Sequence, residues 1–234
     1  MKTLIADTTG MIGSGVARHA MIRKVLLTCG ILSSLLYVAA IIFGAMVWEG
    51  YNSVTQPVSE LGAIDAPSQP LMITLGTIYS VLVIAFGLGV LSSADGKRTL
   101  RVVAGLLVGY GAACLAARFT PMHQRGVDWT LTDTLHMISA GVDICFILLI
   151  IVFGAFAFGK WFRLYSIATI LVGIMSGTLF ALDAARFGLW ERINISSFLL
   201  WIVVFAVVLL SSQKGQEAVP EATPEFARTS SANR

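Results

Sequence analysis

Six long apolar stretches follow one another along this chain, and each is long enough to cross a lipid bilayer as a helix. Crossing about 30 Å of hydrocarbon takes roughly 17–25 apolar residues in helical form, the form that satisfies its own backbone hydrogen bonds. The 234 residues are 56% hydrophobic and 12% charged, which excludes an ordinary soluble domain. We therefore predict an all-α, polytopic membrane helical bundle with six transmembrane helices. The predicted spans are Val25–Val47, Leu71–Ser92, Leu100–Ala117, Leu135–Gly159, Leu164–Leu182 and Ile193–Ser212.

The basic residues are distributed unevenly between the two ends of these spans. The sequence holds sixteen lysines and arginines. With a cytoplasmic N-terminus, twelve of them fall on the cytoplasmic side, and four lie on the opposite side: Arg118, Arg125, Arg186 and Arg192. Because loops rich in lysine and arginine stay in the cytoplasm, this bias predicts that both termini are cytoplasmic (N-in/C-in).

The two ends of the chain lie outside the apolar pattern. Residues 213–234 contain glutamates, prolines, serines and threonines but few large apolar residues, which predicts a disordered cytoplasmic tail. Residues 1–20 resemble the first strand and glycine turn of the extended short-chain dehydrogenases, with Asp7 in place of the first fingerprint glycine. That turn binds a dinucleotide only within a sheet of parallel strands, and a span that begins at Val25 leaves no room for such a sheet. We interpret residues 1–20 as a disordered or non-native extension and residues 21–212 as the six-helix domain, with no nucleotide or nucleic-acid partner.

The fourth apolar stretch carries three ionisable residues on one helical face. Asp133, His136 and Asp143 follow one another at intervals of three and seven residues, which is the spacing of a single face. Charge within a span is costly and commonly marks a site, so this face is the strongest functional candidate. Two structural interpretations stay open. Thr130 precedes Asp133 at a capping-box spacing, and Asp143 could instead hold a neighbouring helix through a hydrogen bond.

Further polar residues lie in the three segments on the same side of the membrane. We expect an outward-opening cavity formed by spans three to six and covered by the loop at residues 59–62. Its mixture of acids and arginines suits a lipid head group or a small polar molecule, so membrane lipids are the expected partners. The candidate ligand-binding residues are Ser59, Glu60, Arg118, His136, Asp143, Asp183, Arg186, Glu191 and Arg192.

Several local patterns are similar to those of a known family. They are the Ser59-Glu60-Leu61-Gly62-Ala63 loop, the exit from span three at Phe119–Pro121, His136 at the head of span four, and Glu191-Arg192-Ile193 before span six. Over roughly residues 21–212 the chain resembles a prokaryotic six-helix membrane family known as domain of unknown function number nine hundred and ninety-eight. The resemblance implies a multi-pass protein of the prokaryotic inner (cytoplasmic) membrane. It implies no activity, ligand or catalytic residue.

Two other functions stay open, and so does the question of whether the protein is an enzyme. The serine, aspartate and histidine pattern is loosely similar to that of the alkaline-ceramidase and adiponectin-receptor-like membrane hydrolases, although those have seven spans. His123, His136 and Asp133 would then hold zinc, because two histidines and a carboxylate leave one position for a catalytic water. Otherwise we expect no cofactor. A proton-coupled carrier is the second alternative, since Asp143 lies about ten residues into its span, near the middle of the bilayer.

Small residues recur at helix-packing intervals. Gly105 and Gly109 on the third span, and Gly173 and Gly177 on the fifth, form G-x-x-x-G pairs. Such pairs let two helices approach closely, so they predict contacts within the bundle. The same pattern would also suit a homo-oligomer.

Overall fold

The structure is a computed structural model that describes the backbone of residues 2–217 and the side chains of residues 18–212. It consists of six long helices joined by short connections, with no strand among residues 2–217. Each helix contains a stretch long and apolar enough to cross a membrane, which confirms the predicted all-α, six-helix fold. The helices are α1 (Lys2–Val47), α2 (Gln69–Ser92), α3 (Arg98–Ala116), α4 (Leu131–Gly154), α5 (Lys160–Leu182) and α6 (Phe187–Glu217).

The ends of α4 differ from the predicted span at both sides. The helix begins four residues early, at Leu131, because Thr130 and Asp133 form a capping box. It stops at Gly154 rather than Gly159, and backbone turns replace the helix there. The residues after Gly154 are still apolar, so hydropathy could not mark this end.

The outermost helices extend beyond the predicted spans. α1 begins at Lys2, so residues 2–20 and the first span form a single helix. α6 begins with the polar turn before Ile193 and continues to Glu217. Residues 218–234 of the predicted tail lie outside the described part of the chain.

The helices form an arc rather than a closed ring. α1 packs against α2 and α6, α2 packs against α3, α3 against α4, and α5 against α6. The order around the bundle is therefore α4, α3, α2, α1, α6, α5. The two helices at the ends of this arc, α4 and α5, are neighbours in sequence but share few contacts.

One end of the bundle gathers the α1–α2, α3–α4 and α5–α6 connections, and we call it the cavity end. The backbone N–H of Ile64 donates to the carbonyl of Met122 at 2.8 Å, which joins the first two connections. The N–H of Leu189, in the first turn of α6, donates to the carbonyl of Val54 at 3.0 Å, which joins the α1–α2 connection to the start of α6. The remaining two connections lie at the opposite end, the far end.

Trp201 of α6 brings α4, α5 and α6 together in the half of the bundle nearer the far end. The indole is fully buried, and its Nε1 donates to Ser166 Oγ of α5 at 3.0 Å. A Cβ at Gly154, the last residue of α4, would lie only 2.5 Å from the Trp201 ring, so only glycine permits this approach. α4 and α5 therefore converge on α6 here and separate toward the cavity end.

The predicted close contact is confirmed at Gly109 of α3, where a Cβ would lie 2.8 Å from the Phe146 ring of α4. On α5 the contacts are looser: the Gly173 carbonyl accepts a hydrogen bond from Asn194 of α6, and a Cβ at Gly177 would lie 3.9 Å from the same side chain. A Cβ at Gly105 would meet no atom within 4 Å. For Gly105 the predicted contact inside the bundle is wrong, because the spacing shows that a partner could approach but not that one does.

Candidate functional site

A cavity of about 370 Å³ lies inside the arc at the cavity end. All six helices contribute to its wall, whereas the sequence predicts only spans three to six. A short 3-10 helix, Val58–Gly62, also lines it and is called the cover helix below. The polar residues of the wall are Tyr37, Ser59, Tyr110, Arg118, His136, Ser139, Asp143, Ser176, Trp190, Glu191 and Asn194.

Asp143 projects from α4 into the apolar part of the bundle. One carboxylate oxygen, Oδ2, accepts a weak hydrogen bond from the Cys114 thiol of α3, with sulfur and oxygen 3.8 Å apart. The other oxygen, Oδ1, is buried and has no hydrogen-bond partner. A buried acceptor without a donor is costly, about 1–3 kcal/mol, so this oxygen calls for a water or a ligand group beside it.

Arg118 supplies the positive charge of the cavity wall. It follows the last turn of α3, and its Nε donates to the Cys114 carbonyl at 3.3 Å. Its guanidinium lies on Gly76 of α2, where a Cβ would come within 2.6 Å of Nη1. Among residues 18–212, no acceptor is in hydrogen-bonding contact with its two terminal nitrogens, and no ion pair joins it to Asp143. Four of its five N–H groups are therefore unused.

His136 lies about 10 Å along α4 from Asp143, two turns nearer the cavity end. Its Nδ1 is 3.1 Å from the Thr120 carbonyl oxygen. Because a carbonyl oxygen only accepts, the hydrogen is on Nδ1, and Nε2 carries the lone pair in the neutral ring. The side chain is thus fixed in one orientation, and Nε2 remains available as a hydrogen-bond acceptor.

Glu191 lines the cavity and is also hydrogen-bonded to the cover helix. Its Oε2 accepts a hydrogen bond from the backbone N–H of Val58, the first residue of that helix. The first N–H groups of a helix lack partners within it, and a carboxylate is well suited to them. Glu191 therefore connects α6 to the cover.

Glu60 belongs to the cover helix but does not line the cavity. Its side chain is buried, and its Oε1 accepts a hydrogen bond from Arg125 Nε at 2.5 Å. Its Oε2 accepts one from Gln56 Nε2 at 3.1 Å. The pair links the cover helix to the α3–α4 connection.

Arg192 also binds the α1–α2 connection rather than the cavity. Its Nη1 donates to the carbonyls of Ser53 at 2.7 Å and Gln56 at 2.9 Å. Its Nη2 donates to the Tyr51 hydroxyl at 2.6 Å, and the guanidinium lies over the Tyr51 ring. Burial raises the pKa of the Tyr51 phenol, so the group remains a neutral hydroxyl that in turn donates to the Pro57 carbonyl at 2.7 Å.

Asp183 and Arg186 lie outside the cavity. Arg186 Nη1 is 3.7 Å from Asp183 Oδ2, and the arginine is mostly exposed. Asp183 also accepts a hydrogen bond from Trp190 Nε1 at 3.2 Å. The two residues close the turn between α5 and α6.

The predicted zinc residues do not form one group. Asp133 accepts hydrogen bonds from the backbone N–H of His123 at 2.7 Å and from the ring Nδ1 at 2.9 Å. It also accepts one from the Thr130 N–H at 2.9 Å, which confirms the capping interpretation. His136 points to the cavity instead. Within residues 18–212, no cluster of three histidine, cysteine, aspartate or glutamate side chains could hold a metal ion.

Sequence reasoning missed several residues of the site. Cys114 does not line the cavity but contacts Asp143 and Arg118, since its thiol donates to Asp143 and its carbonyl accepts from Arg118. Asn194 of α6 donates to the Gly173 carbonyl of α5 at 3.0 Å and lines the cavity. The spacing of four between Cys114 and Arg118 was the available signal, but a cysteine in an apolar span is usually a packing residue.

A family model described as a protein of unknown function (DUF998) matches residues 31–208. The chain belongs to this family. The DUF998 match extends from α1 to α6 and includes every residue of the cavity wall named above. A search of curated proteins and a search of solved structures each found no match. Because the family has no known function, the function has to be argued from the cavity.

Proposed function

We propose that the protein binds a lipid head group or a small polar molecule in this cavity. The observation that carries the proposal is a pair of unsatisfied groups in one wall, the Arg118 guanidinium and Asp143 Oδ1. The Asp143 oxygen is buried without a donor, which is costly, and the terminal N–H groups of Arg118 have no acceptor among residues 18–212. A ligand that supplies an acceptor to Arg118 and a donor to Asp143 satisfies both groups.

The polar groups of the wall indicate which kind of ligand fits the cavity. Arg118 presents a planar fork of N–H groups, which fits the oxygens of a phosphate or carboxylate. Asp143 and the free Nε2 of His136 accept hydrogen bonds, so they fit a hydroxyl or ammonium group. The ligand therefore carries an acidic group together with a polar donor.

The membrane arrangement belongs to the same proposal. The twelve-to-four bias of lysines and arginines supports cytoplasmic termini, which puts the cavity end on the outer side. Membership of the family supports a prokaryotic cytoplasmic membrane. In this arrangement the cavity faces away from the cytoplasm.

Thermal unfolding before and after delipidation tests the proposal. A ligand that binds only the folded state stabilises it, by about 2.7 kcal/mol at a hundred times its dissociation constant. We expect the wild type to lose stability when it is stripped by detergent exchange and to regain it when a total membrane extract is added. Arg118→Gln should show neither change, because it keeps hydrogen bonding but loses the charge.

Arg186→Gln is the matched control, since Arg186 is exposed and outside the cavity. It should respond like the wild type. Equal responses of all three proteins would contradict the proposal. Stoichiometric zinc in the purified protein would also contradict it and favour the membrane hydrolase.

A further inference from the structure

We propose that the occupant of the cavity is a phospholipid, which enters sideways between α4 and α5 and leaves its acyl chains in the gap between these helices. The inference rests on the proposed function and narrows its ligand class. Its phosphate would lie at Arg118.

The gap between α4 and α5 follows from the order of the helices. They are the two ends of the arc and share few contacts with each other, and both approach Trp201 of α6. A Cβ at Gly141 of α4 would meet no atom within 4 Å. A Cβ at Gly177 of α5 would meet only Asn194 of α6, at 3.9 Å. Both helices therefore leave open space beside them, at about 15 Å and 8 Å from the cavity end.

The cavity wall is apolar where it meets this gap. Met137 and Ile144 of α4 line the cavity and are 54% and 56% exposed. Phe180 of α5 lines it from the other side, and Gly177 leaves the wall open one turn away. Residues that belong to the wall and are still largely exposed mark a lateral opening. Its surface suits hydrocarbon better than water.

This opening lies within the membrane-spanning helices. Gly177 is five residues before the end of α5 at Leu182, and Ile144 is thirteen residues after the start of α4 at Leu131. At 1.5 Å per residue these positions are about 8 Å and 20 Å from the cavity end. A molecule at that depth comes from the lipid layer, whereas the cover helix lies over the route from water.

The polar wall selects the head group. A cavity of about 370 Å³ is in the range of pockets for small ligands, so it holds a head group while the chains stay in the gap. The two free terminal nitrogens of Arg118 match two oxygens of a phosphate diester. Asp143 and His136 accept from the hydroxyls or ammonium of the remaining head group.

Lipid titration by native mass spectrometry tests this inference on the full-length, delipidated protein. The probes are dioleoyl phosphatidylglycerol and glycerol 3-phosphate, which both carry a phosphate on glycerol; the second probe lacks the acyl chains and the distal glycerol. We expect the wild type to bind one lipid, and to bind glycerol 3-phosphate more weakly by about tenfold or more because the chains add buried CH₂ groups. Gly177→Phe should weaken lipid binding about tenfold by filling the gap.

Gly105→Phe is the control, because Gly105 is an exposed glycine with open space beside it and does not line the cavity. It should bind lipid like the wild type. If Gly177→Phe does not fold, Gly141→Phe fills the same gap from α4, where it lies between Met137 and Ile144 on one face.

The outcomes separate this inference from the proposed function. If both gap variants bind lipid like the wild type while Arg118→Gln loses lipid binding, the lateral route is wrong. The cavity would still be the binding site. Equal affinity for glycerol 3-phosphate and the lipid would also overturn the lateral route and indicate a water-soluble ligand. If Arg118→Gln leaves the binding of both probes unchanged, the cavity is not the binding site.

Discussion

Asp143 has different surroundings at its two carboxylate oxygens. The oxygen facing Cys114 has a weak donor, and the other has none. A residue that only fixes the bundle is expected to have both oxygens satisfied, as Asp133 does with donors from His123 and Thr130. The contrast between these two aspartates of α4 separates a structural carboxylate from one that still needs a partner.

Sequence reasoning identified the charged residues but not what each one binds. Glu60, Glu191 and Arg192 were candidate ligand groups because they are charged and lie on one side of the spans. Two of them bind backbone groups of distant segments, as Glu191 does at Val58 and Arg192 at Ser53. A linear sequence shows the charge, but it does not show an acceptor or donor more than a hundred residues away.

A substitution at Arg125 tests the structural role of the buried Glu60. Arg125→Ala should lower the free energy of unfolding by about 1–3 kcal/mol, because the Glu60 carboxylate stays buried with Gln56 as its remaining side-chain partner. Arg186→Ala is the control, since its exposed pair with Asp183 at 3.7 Å contributes about 0–1 kcal/mol. Thermal unfolding in one detergent measures both. A neutral Arg125→Ala would show that the pair does not hold the cover helix.

At the scale of elements, the length and hydropathy of the chain predicted six helices, and the structure contains them. Hydropathy could not predict the arc, because it does not show which helix packs against which. It also could not predict that α4 stops at Gly154, where Trp201 occupies the space that a side chain would need. The cavity and its lateral opening both depend on this arrangement, so neither the contribution of α1 and α2 nor the gap could be predicted.

The cover helix shows how the connections act as one unit. Glu191 joins it to α6, and Glu60 joins it through Arg125 to the α3–α4 connection. The Ser68 hydroxyl at the start of α2 donates to the Leu61 carbonyl at 2.7 Å. These contacts with three elements hold the cover helix in place as part of the wall. The space between α4 and α5 is the less constrained side of the cavity.

At the scale of the whole molecule, the orientation in the membrane decides which compartment the cavity faces. Cysteine labelling on intact cells tests the N-in/C-in arrangement in a background without the three native cysteines. Gly96 and Gly126 are unsuitable positions, because their φ angles of 82° and 84° favour glycine. Asp128 and Gly159 are exposed and free of that restriction.

With both termini in the cytoplasm, Asp128→Cys should react with a membrane-impermeant maleimide in intact cells. Gly159→Cys should react only after permeabilisation, because the α4–α5 connection lies on the other side. The reverse pattern would show that the lysine and arginine bias does not set the orientation of this protein.

Native mass spectrometry of gently purified protein measures directly whether the folded protein holds a ligand between the charged residues of the cavity wall. We expect wild-type protein to carry an additional, removable mass. Asp143→Asn and His136→Ala should lose that mass, because each removes an acceptor facing the ligand, and should unfold near the temperature of stripped wild-type protein. Both variants retaining wild-type occupancy and stability would contradict such binding and leave Asp143 as a residue that only fixes the bundle.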